Sequence, residues 1–256
     1  MIRLWKFTLF FLLCLVITLL LNLPIRHVLP YVKLPNTLQL VGIDGTVIRG
    51  KAREVNVNRF PLRDIDYRYM PSCIPLLKVC YRISYAQGTV QAAYDLLNGD
   101  TEVSEVKIEY PASEIAQYLK AVPVRPDGRL ELLIDELGII DGKPTALNGK
   151  LIWRDVGIDD EGIKLNIGDY QIDFTGNGQK YDFKLKDLDA SLDVDGKGEI
   201  KAGGQYSLEV KIESEASMEP QVKSVLELVA KKTSYNKYRV EQNGRLPPNL
   251  TRQLFR

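Results

Sequence analysis

Along most of the chain beyond Pro35, apolar and polar residues alternate. Tyr181, Phe183 and Leu185 are separated by Asp182, Lys184 and Lys186, and Leu192 and Val194 by Asp193 and Asp195. Period two sends successive side chains to opposite faces, so these runs predict half-buried β-strands. Turn-forming pairs interrupt them at Asn98-Gly99-Asp100, Asp127-Gly128, Asp141-Gly142 and Asp195-Gly196, which predicts antiparallel meanders. Two stretches change period. SEIAQYLKAV from Ser113 places Ile115, Tyr118, Leu119 and Val122 on one helical stripe; EPQVKSVLELVAKK from Glu219 does the same with Val222, Val225, Leu226 and Val229. Both predict short amphipathic helices packed on a sheet, with Ser113 as an N-cap and Pro220 in a first turn. The basic doublet Lys231-Lys232 then falls at a helix C-terminus, where cations complement the macrodipole.

The amino terminus follows neither pattern. Residues 7–23 read FTLFFLLCLVITLLLNL without a charge, preceded by Arg3, Trp5 and Lys6 and followed by Pro24, Arg26 and His27. As a helix, roughly 17 residues span about 25 Å, and Leu4 and Trp5 bring this close to a hydrocarbon core of about 30 Å. Insertion gains on the order of 5 kcal/mol. A cleaved secretory signal is the competing reading, but it needs small residues beyond the apolar run, where Leu21, Asn22, Leu23, Pro24 and Ile25 stand. Lipidation of Cys14 is disfavoured in the same way by Leu12 and Leu13. Arg3 and Lys6 cluster beside the amino terminus while Arg26 and Lys33 are dispersed, which favours that terminus inside. The expected organisation is a cytoplasmic stretch 1–6, a transmembrane helix 7–23, a linker 24–38 and a periplasmic β-rich body 39–256. The fold class is therefore mainly β with two short helices, behind a single-pass inner-membrane anchor.

Composition narrows the chemistry. At 256 residues, 26% charged and 45% hydrophobic, the chain can bury one sizeable core or two small ones. Lys plus Arg number 34 against 33 for Asp plus Glu, with the signs interspersed, so the footprint of a nucleic-acid binder is missing. The one histidine, His27, belongs at a membrane surface and has no evident partner for acid–base work. Three cysteines exclude the usual zinc frameworks, and Asp155 to Glu161 departs from a calcium loop. Lys143, Ser191 and Ser207 are nucleophilic in type, yet none sits in a strand–turn–helix elbow. No catalytic, cofactor-binding or metal-binding residue is expected, and the chain reads as a non-enzyme. Cys73 and Cys80, within PSCIPLLKVCY, lie between the strand-like LRDIDYRYM and VCYRISYAQG. In an oxidising compartment they are the candidate disulfide, closing a short loop for about 2.5 kcal/mol in the chain-entropy model; two buried thiols in a reduced protein is the alternative.

Some segments recur in order. GTVIRGKA from Gly45 is echoed by GKLIWRDV from Gly149, a helix follows each, and Gly128-Arg129-Leu130 is echoed by Gly244-Arg245-Leu246. This gives two tandem repeats, 40–140 and 145–250, with coincidence as the alternative.

Gly42, GTVIRGKA, the strand from Leu62 into Tyr69-Met70-Pro71, and Leu76-Leu77 form one series; NGKLIWRDVGI from Asn148, Ile167-Gly168, AGGQYSLEVKIE from Ala202 and Pro220 continue it. In order and spacing the series resembles the type II (general) secretion pathway protein N family of Gram-negative bacteria. It departs from that pattern where tryptophan is common, having Tyr67 or Tyr69 in one place and Arg49 before Gly50 in another. The resemblance implies a non-enzymatic inner-membrane accessory component of the machine that moves folded proteins out of the periplasm, with other secretion-machinery subunits as partners. The family is also similar to AsmA-type envelope proteins, and jelly rolls of lipopolysaccharide transport share this length and topology. The alternative function is therefore lipid handling: Tyr181, Phe183, Leu192 and Val194 either close on one another or line an open groove.

Overall fold

The computed structural model describes residues 2–31, 38–57, 60–116, 126–140, 143–160, 163–214, 220–248, 251 and 255. The described chain divides into two compact units, Met1–Leu97 and Asn98–Arg256.

Unit 1 begins with helix α1 (Ile2–Leu21), 20 residues long. It starts earlier than the uncharged run because Arg3 and Lys6 are good helix formers. It stops where Asn22 donates both its backbone N–H and its side-chain Nδ2 to the Thr18 carbonyl, just ahead of Pro24, which disfavours helix in the residue before it. Its side chains are described at Trp5 and from Phe7 to Leu19, and all are exposed. Among the described residues no helix is long and apolar enough to cross a membrane. The expected linker carries structure at its start: α2 (Ile25–Val28) and a 3-10 turn (Leu29–Tyr31). Five strands follow, β1 (Leu38–Gly45), β2 (Arg49–Val57), β3 (Phe60–Met70), β4 (Lys78–Tyr85) and β5 (Gly88–Asp95), each antiparallel to the next. Ala52, Val55, Ile65, Cys80 and Tyr85 are its buried residues.

Unit 2 is a longer meander. Its strands are β6 (Thr101–Pro111), β7 (Pro126–Ile140), β8 (Lys143–Asp160), β9 (Ile163–Gly176), β10 (Lys180–Ala190), β11 (Leu192–Lys201), β12 (Gln205–Ser214), β13 (Lys231–Ser234) and β14 (Lys237–Arg245), with α3 (Ala112–Ala116) after β6 and α4 (Pro220–Val229) after β12. Sheet order follows sequence except at the end, where β14 returns to pair with β12 and leaves β13 outermost. The register produces two opposite faces. One row runs Ile108, Leu132, Leu151, Ile172, Leu185, Gly196, Val210, Val240, nearly all apolar. A row on the other face runs Lys150, Asp173, Lys184, Lys197, Glu209, Glu241, charged throughout. There Lys197 meets Glu209 at 3.1 Å, and Lys186 meets Asp173 at 3.4 Å. Exposed pairs of this kind contribute at most about 1 kcal/mol each, so packing at the core around Leu192, Val194 and Tyr238 contributes more.

The alternation expected for β10 and β11 is present, with Tyr181, Leu192 and Val194 buried and Asp193 and Asp195 exposed. Leu192, Val194 and Val210 form the core with Leu226 of α4 and Tyr238 of β14, and Val222 packs alongside. The second predicted helix thus buries the predicted stripe as far as its side chains are described.

Several local expectations give way to tertiary context. Ser113 is not an N-cap: α3 already begins at Ala112, which is buried. Tyr118, Leu119 and Val122 lie outside the described residues, as does the Asp141-Gly142 turn. Lys231 and Lys232 do not end a helix but open β13. Asp127-Gly128 is not a turn; it is a bulge inside β7, where Gly128 takes φ +100° and its N–H bonds the Asp127 carboxylate. Asp195-Gly196 lies inside β11, with Gly196 buried between Leu185 and Val210. In both places a pair that reads as a turn in isolation is spent within a strand, because a long continuous partner strand supplies the hydrogen bonds.

The repeat-like segments occupy unlike structures. GTVIRGKA covers the β1–β2 turn, and GKLIWRDV lies within β8. What β6–α3–β7 and β12–α4–β13–β14 share is a helix placed in the connection between two antiparallel neighbours.

Replacing Leu226 by Ala removes the one fully buried anchor described in α4, and should cost about 2–4 kcal/mol in denaturant unfolding, against less than about 0.5 for the exposed Lys223→Ala. Tyr170 gives a pH signature. Burial first, and then the Asp187 charge, pushes its phenol from 10.0 up to about 12. A raised folded-state value contributes stability fully present below the unfolded value and lost as pH rises through the folded one. Wild type should therefore destabilise between pH 10 and 12 more steeply than Tyr170→Phe, measured by unfolding at fixed ionic strength.

Candidate interaction surface

The end of unit 1 from which β2 and β4 start collects its least ordinary residues. The turn from Gly45 to Arg49 closes β1 on β2, with the Thr46 N–H donating to the Arg49 carbonyl at 2.8 Å. It is joined to the end of α1: the Val47 N–H donates to the Leu23 carbonyl at 3.0 Å, and Pro24 bridges Thr46. Two tyrosines fix the turn from beneath. Tyr67 of β3 donates its hydroxyl to the Thr46 carbonyl at 2.8 Å, and Tyr81 of β4 donates to the Val47 carbonyl at 3.0 Å. Gly50 is what admits the first ring, since a Cβ there would lie 2.3 Å from the Tyr67 hydroxyl oxygen. Tyr67 and Tyr69 both meet Tyr81 edge-on, with centroids 6.3 and 5.7 Å apart. Burial, then the nearby Tyr81 and Asp44, pushes the Tyr67 phenol up; burial, then Tyr69, does the same for Tyr81. Both therefore stay protonated donors at neutral pH. Each bond to an otherwise unpaired turn carbonyl contributes about 1 kcal/mol.

Beside the tyrosines, Met70 of β3 pairs with Cys80 of β4, and the 3-10 turn Pro71–Leu76 connects the two strands. Cys73 and Cys80 are bonded in the structure, their Cα atoms 6.0 Å apart. Leu77 ends the turn in the left-handed region, φ +55°, with its N–H on the Ile74 carbonyl at 2.9 Å. Such a conformation is costly for a leucine; backbone hydrogen bonds on both sides of Leu77 and the Cys73–Cys80 bond across the turn accompany it. The turn therefore exposes Ile74, Leu76 and Leu77. The Leu96 N–H donates to the Leu77 carbonyl at 3.1 Å, which brings Leu96 and Leu97 to the same end, and these too are exposed.

On the opposite face from the tyrosine rings, Arg49, Arg68 and Arg82 are direct register partners across β2, β3 and β4. Lys51 in the next outward-facing row meets Asp66 at 3.2 Å, whereas the three arginines have no carboxylate partner among the described residues. Like charges directly opposite one another cost up to about 1 kcal/mol per pair. The row lines a shallow depression of about 530 Å³ with Lys51, Asp66, Tyr67 and Met70, the Asp66 carboxylate being held by Lys51. Sequence reading passed over this feature, because the arginines are nineteen and fourteen positions apart and only the register unites them.

The described residues of chemical type, His27, Lys143, Ser191, Ser207 and Asp155, are spread over α2, β8, β12 and the β10–β11 connection. His27 is exposed in α2, its N–H on the Pro24 carbonyl. Lys143 opens β8, Ser207 lies in β12, and Ser191, between β10 and β11, donates its hydroxyl to the Ile167 carbonyl. Asp155 forms a bulge in β8 with its N–H on Asp169, and Glu161 lies outside the described residues. Among the described residues there is no cluster of three or more His, Cys, Asp or Glu placed to hold a metal. Of the groove candidates, Leu192 and Val194 lie in the core under α4, and Tyr181 packs on Phe255 at 5.4 Å; Phe183 is half-buried.

A curated relative from Vibrio cholerae, named type II secretion system protein N, is 21% identical over 231 residues, covering 88% of this chain and 92% of its own length. No solved structure matches. The profile described as type II secretion system, protein N, matches residues 36–241, spanning both units, and the chain belongs to that family, whose members are components of the type II secretion machinery.

Proposed function

We propose that the chain is a non-enzymatic accessory component of the type II secretion machinery, anchored once in the inner membrane by α1, with its β-rich units in the periplasm holding other envelope subunits. The observation that carries this reading is the exposed apolar surface of α1 together with the seam between its end and the β1–β2 turn. Phe7, Leu9, Phe10, Phe11, Leu12 and Leu13 are all more than half exposed, a display that water does not tolerate on a lone helix. A 20-residue helix is about 30 Å long, the thickness of a hydrocarbon core. The stretch whose side chains are described falls short of a full span; the helix backbone from Ile2 to Leu21 does not. Restricting the units to a thin layer above the membrane raises their effective concentration for neighbours anchored likewise, so weak contacts suffice.

Strand β1 supports the partner side of the reading. Among the described residues it has β2 as its one sheet neighbour, and it leaves Val41 nearly half exposed, an edge suited to adding a partner's strand. Lipid handling is the second reading, favoured by the half-buried apolar row Ile108, Leu132, Leu151, Ile172 and weakened by the closure of Leu192 and Val194 under α4. Nucleic acid is not a partner in either.

A photocrosslinker at Val41 in intact cells should trap another envelope subunit of the machinery; a catch of cytosolic proteins alone would contradict the proposal. Protease added outside opened cells should digest both units, and protection of them from that side would reverse the topology. The cysteines carry a separate expectation, that Cys73 and Cys80 are oxidised in the cell. With the chain denatured, alkylation without reductant should label neither, whereas Cys73→Ser should leave Cys80 as a labelled thiol and lower stability by roughly 2.5 kcal/mol.

A further inference from the structure

The arginine row, the apolar tips and the end of α1 lie at one end of one compact unit. β2 and β4 begin here, and β3 and β5 end here. Arg49, Arg68 and Arg82 stand side by side on neighbouring strands, so their Cα atoms span about 10 Å at the usual strand spacing. Beyond them, Leu76 and Leu97 are 67% and 74% exposed. Exposed apolar groups next to cations that have no carboxylate partner among the described residues suit an amphipathic, anionic partner. The seam between Leu23 and Val47 decides which partner, because it holds the end of the apolar helix α1 against this same end of the sheet. With α1 spanning the bilayer, these side chains sit at the boundary between acyl chains and headgroups.

We propose that this end of unit 1 is a membrane-docking surface, in which the tips around Leu76 and Leu97 enter the acyl–headgroup boundary and the Arg49–Arg68–Arg82 row takes the phosphate groups of anionic phospholipids. The inference rests on the reading that α1 spans the membrane. Guanidinium forks match phosphate oxygens bidentately and are weakly hydrated, which suits a row that must give up water at an interface. The like-charge cost of the row in the free protein is relieved by the bound phosphates. The disulfide and the tyrosine-locked turn hold both halves of the surface still, so little ordering is needed on docking.

The test uses the full chain in a neutral detergent, titrated with phosphatidylglycerol or phosphatidylcholine, with retained lipid counted by native mass spectrometry. Phosphatidylglycerol should be preferred, and R49Q/R68Q/R82Q should erase the preference, by about fivefold for each arginine removed, the size expected for a cation near an anionic surface. K223Q/K231Q/K232Q, which removes three exposed cations of unit 2, should keep it. Removing the row relieves repulsion, so the triple variant should unfold no earlier than wild type; Arg68→Gln alone, at the centre of the row, should give a fivefold share of the loss should the triple variant fail to fold. No preference in wild type, or equal loss in both triple variants, would overturn the proposal. So would tighter binding of the tail-free headgroup glycerophosphoglycerol or of inorganic phosphate, which would mark a soluble-anion site, or tighter binding of a polyglutamate peptide, which would mark an acidic protein partner. Because α1 is present in every variant, a lost preference with correct protease topology counts against the docking surface alone; reversed topology counts against both readings.

Discussion

Two hydrogen-bonded strands of chain, Leu23–Pro24 and Thr46–Val47, constrain everything else that unit 1 can do. Without that seam an apolar helix and a β-sheet would be two objects on a string, and the sheet would have no preferred end. With it, one end of the sheet is fixed at the end of α1. The seam depends on a turn that depends in turn on two tyrosine hydroxyls, and the space for the Tyr67 ring exists because residue 50 has no side chain. A few neutral hydrogen bonds, each contributing about 1 kcal/mol, therefore set an orientation that the larger hydrophobic terms cannot set, since burial has no direction.

Unit 2 has a different economy. Its strands are long, and one row of register partners crosses eight of them from Ile108 to Val240, so along that row one face is apolar and the opposite one charged. A slip of one residue would exchange the faces, and that penalty pins the register more firmly than any single ion pair. α4 covers the end of the apolar face where Leu192, Val194 and Tyr238 pack. The arrangement gives the second unit of this secretion component one apolar and one charged face.

The strand alternation at Tyr181 to Leu185 and Leu192 to Val194 was legible because half-burial writes itself as period two, and α4 was legible because one stripe at Val222 and Leu226 meets a sheet. The hairpin around Cys73 and Cys80 was legible because two strand-like runs flank a proline-rich link. Turn signals were the weak point. Asp127-Gly128 and Asp195-Gly196 satisfy local turn chemistry, but a neighbouring strand long enough to pair through them turns one into a bulge and the other into a packing position. Ser113 and Lys231-Lys232 failed for a related reason, since caps matter only where a helix terminus actually falls. The surface at the end of unit 1 was beyond reach of any local reading: Arg49, Arg68 and Arg82 become neighbours only through register, and Leu77 joins Leu96 through a backbone bond across the sheet end.

The most direct measurement of the central claim is a cross-link across the seam. Pro24→Cys together with Thr46→Cys, in a full chain carrying Cys14→Ser, should oxidise to a disulfide in native membranes without added catalyst, and the linked peptides should be recovered by mass spectrometry. Free thiols at both positions, open to a water-soluble alkylating reagent, would mean that unit 1 is not held to the end of α1, and the orientation built on that contact would be wrong.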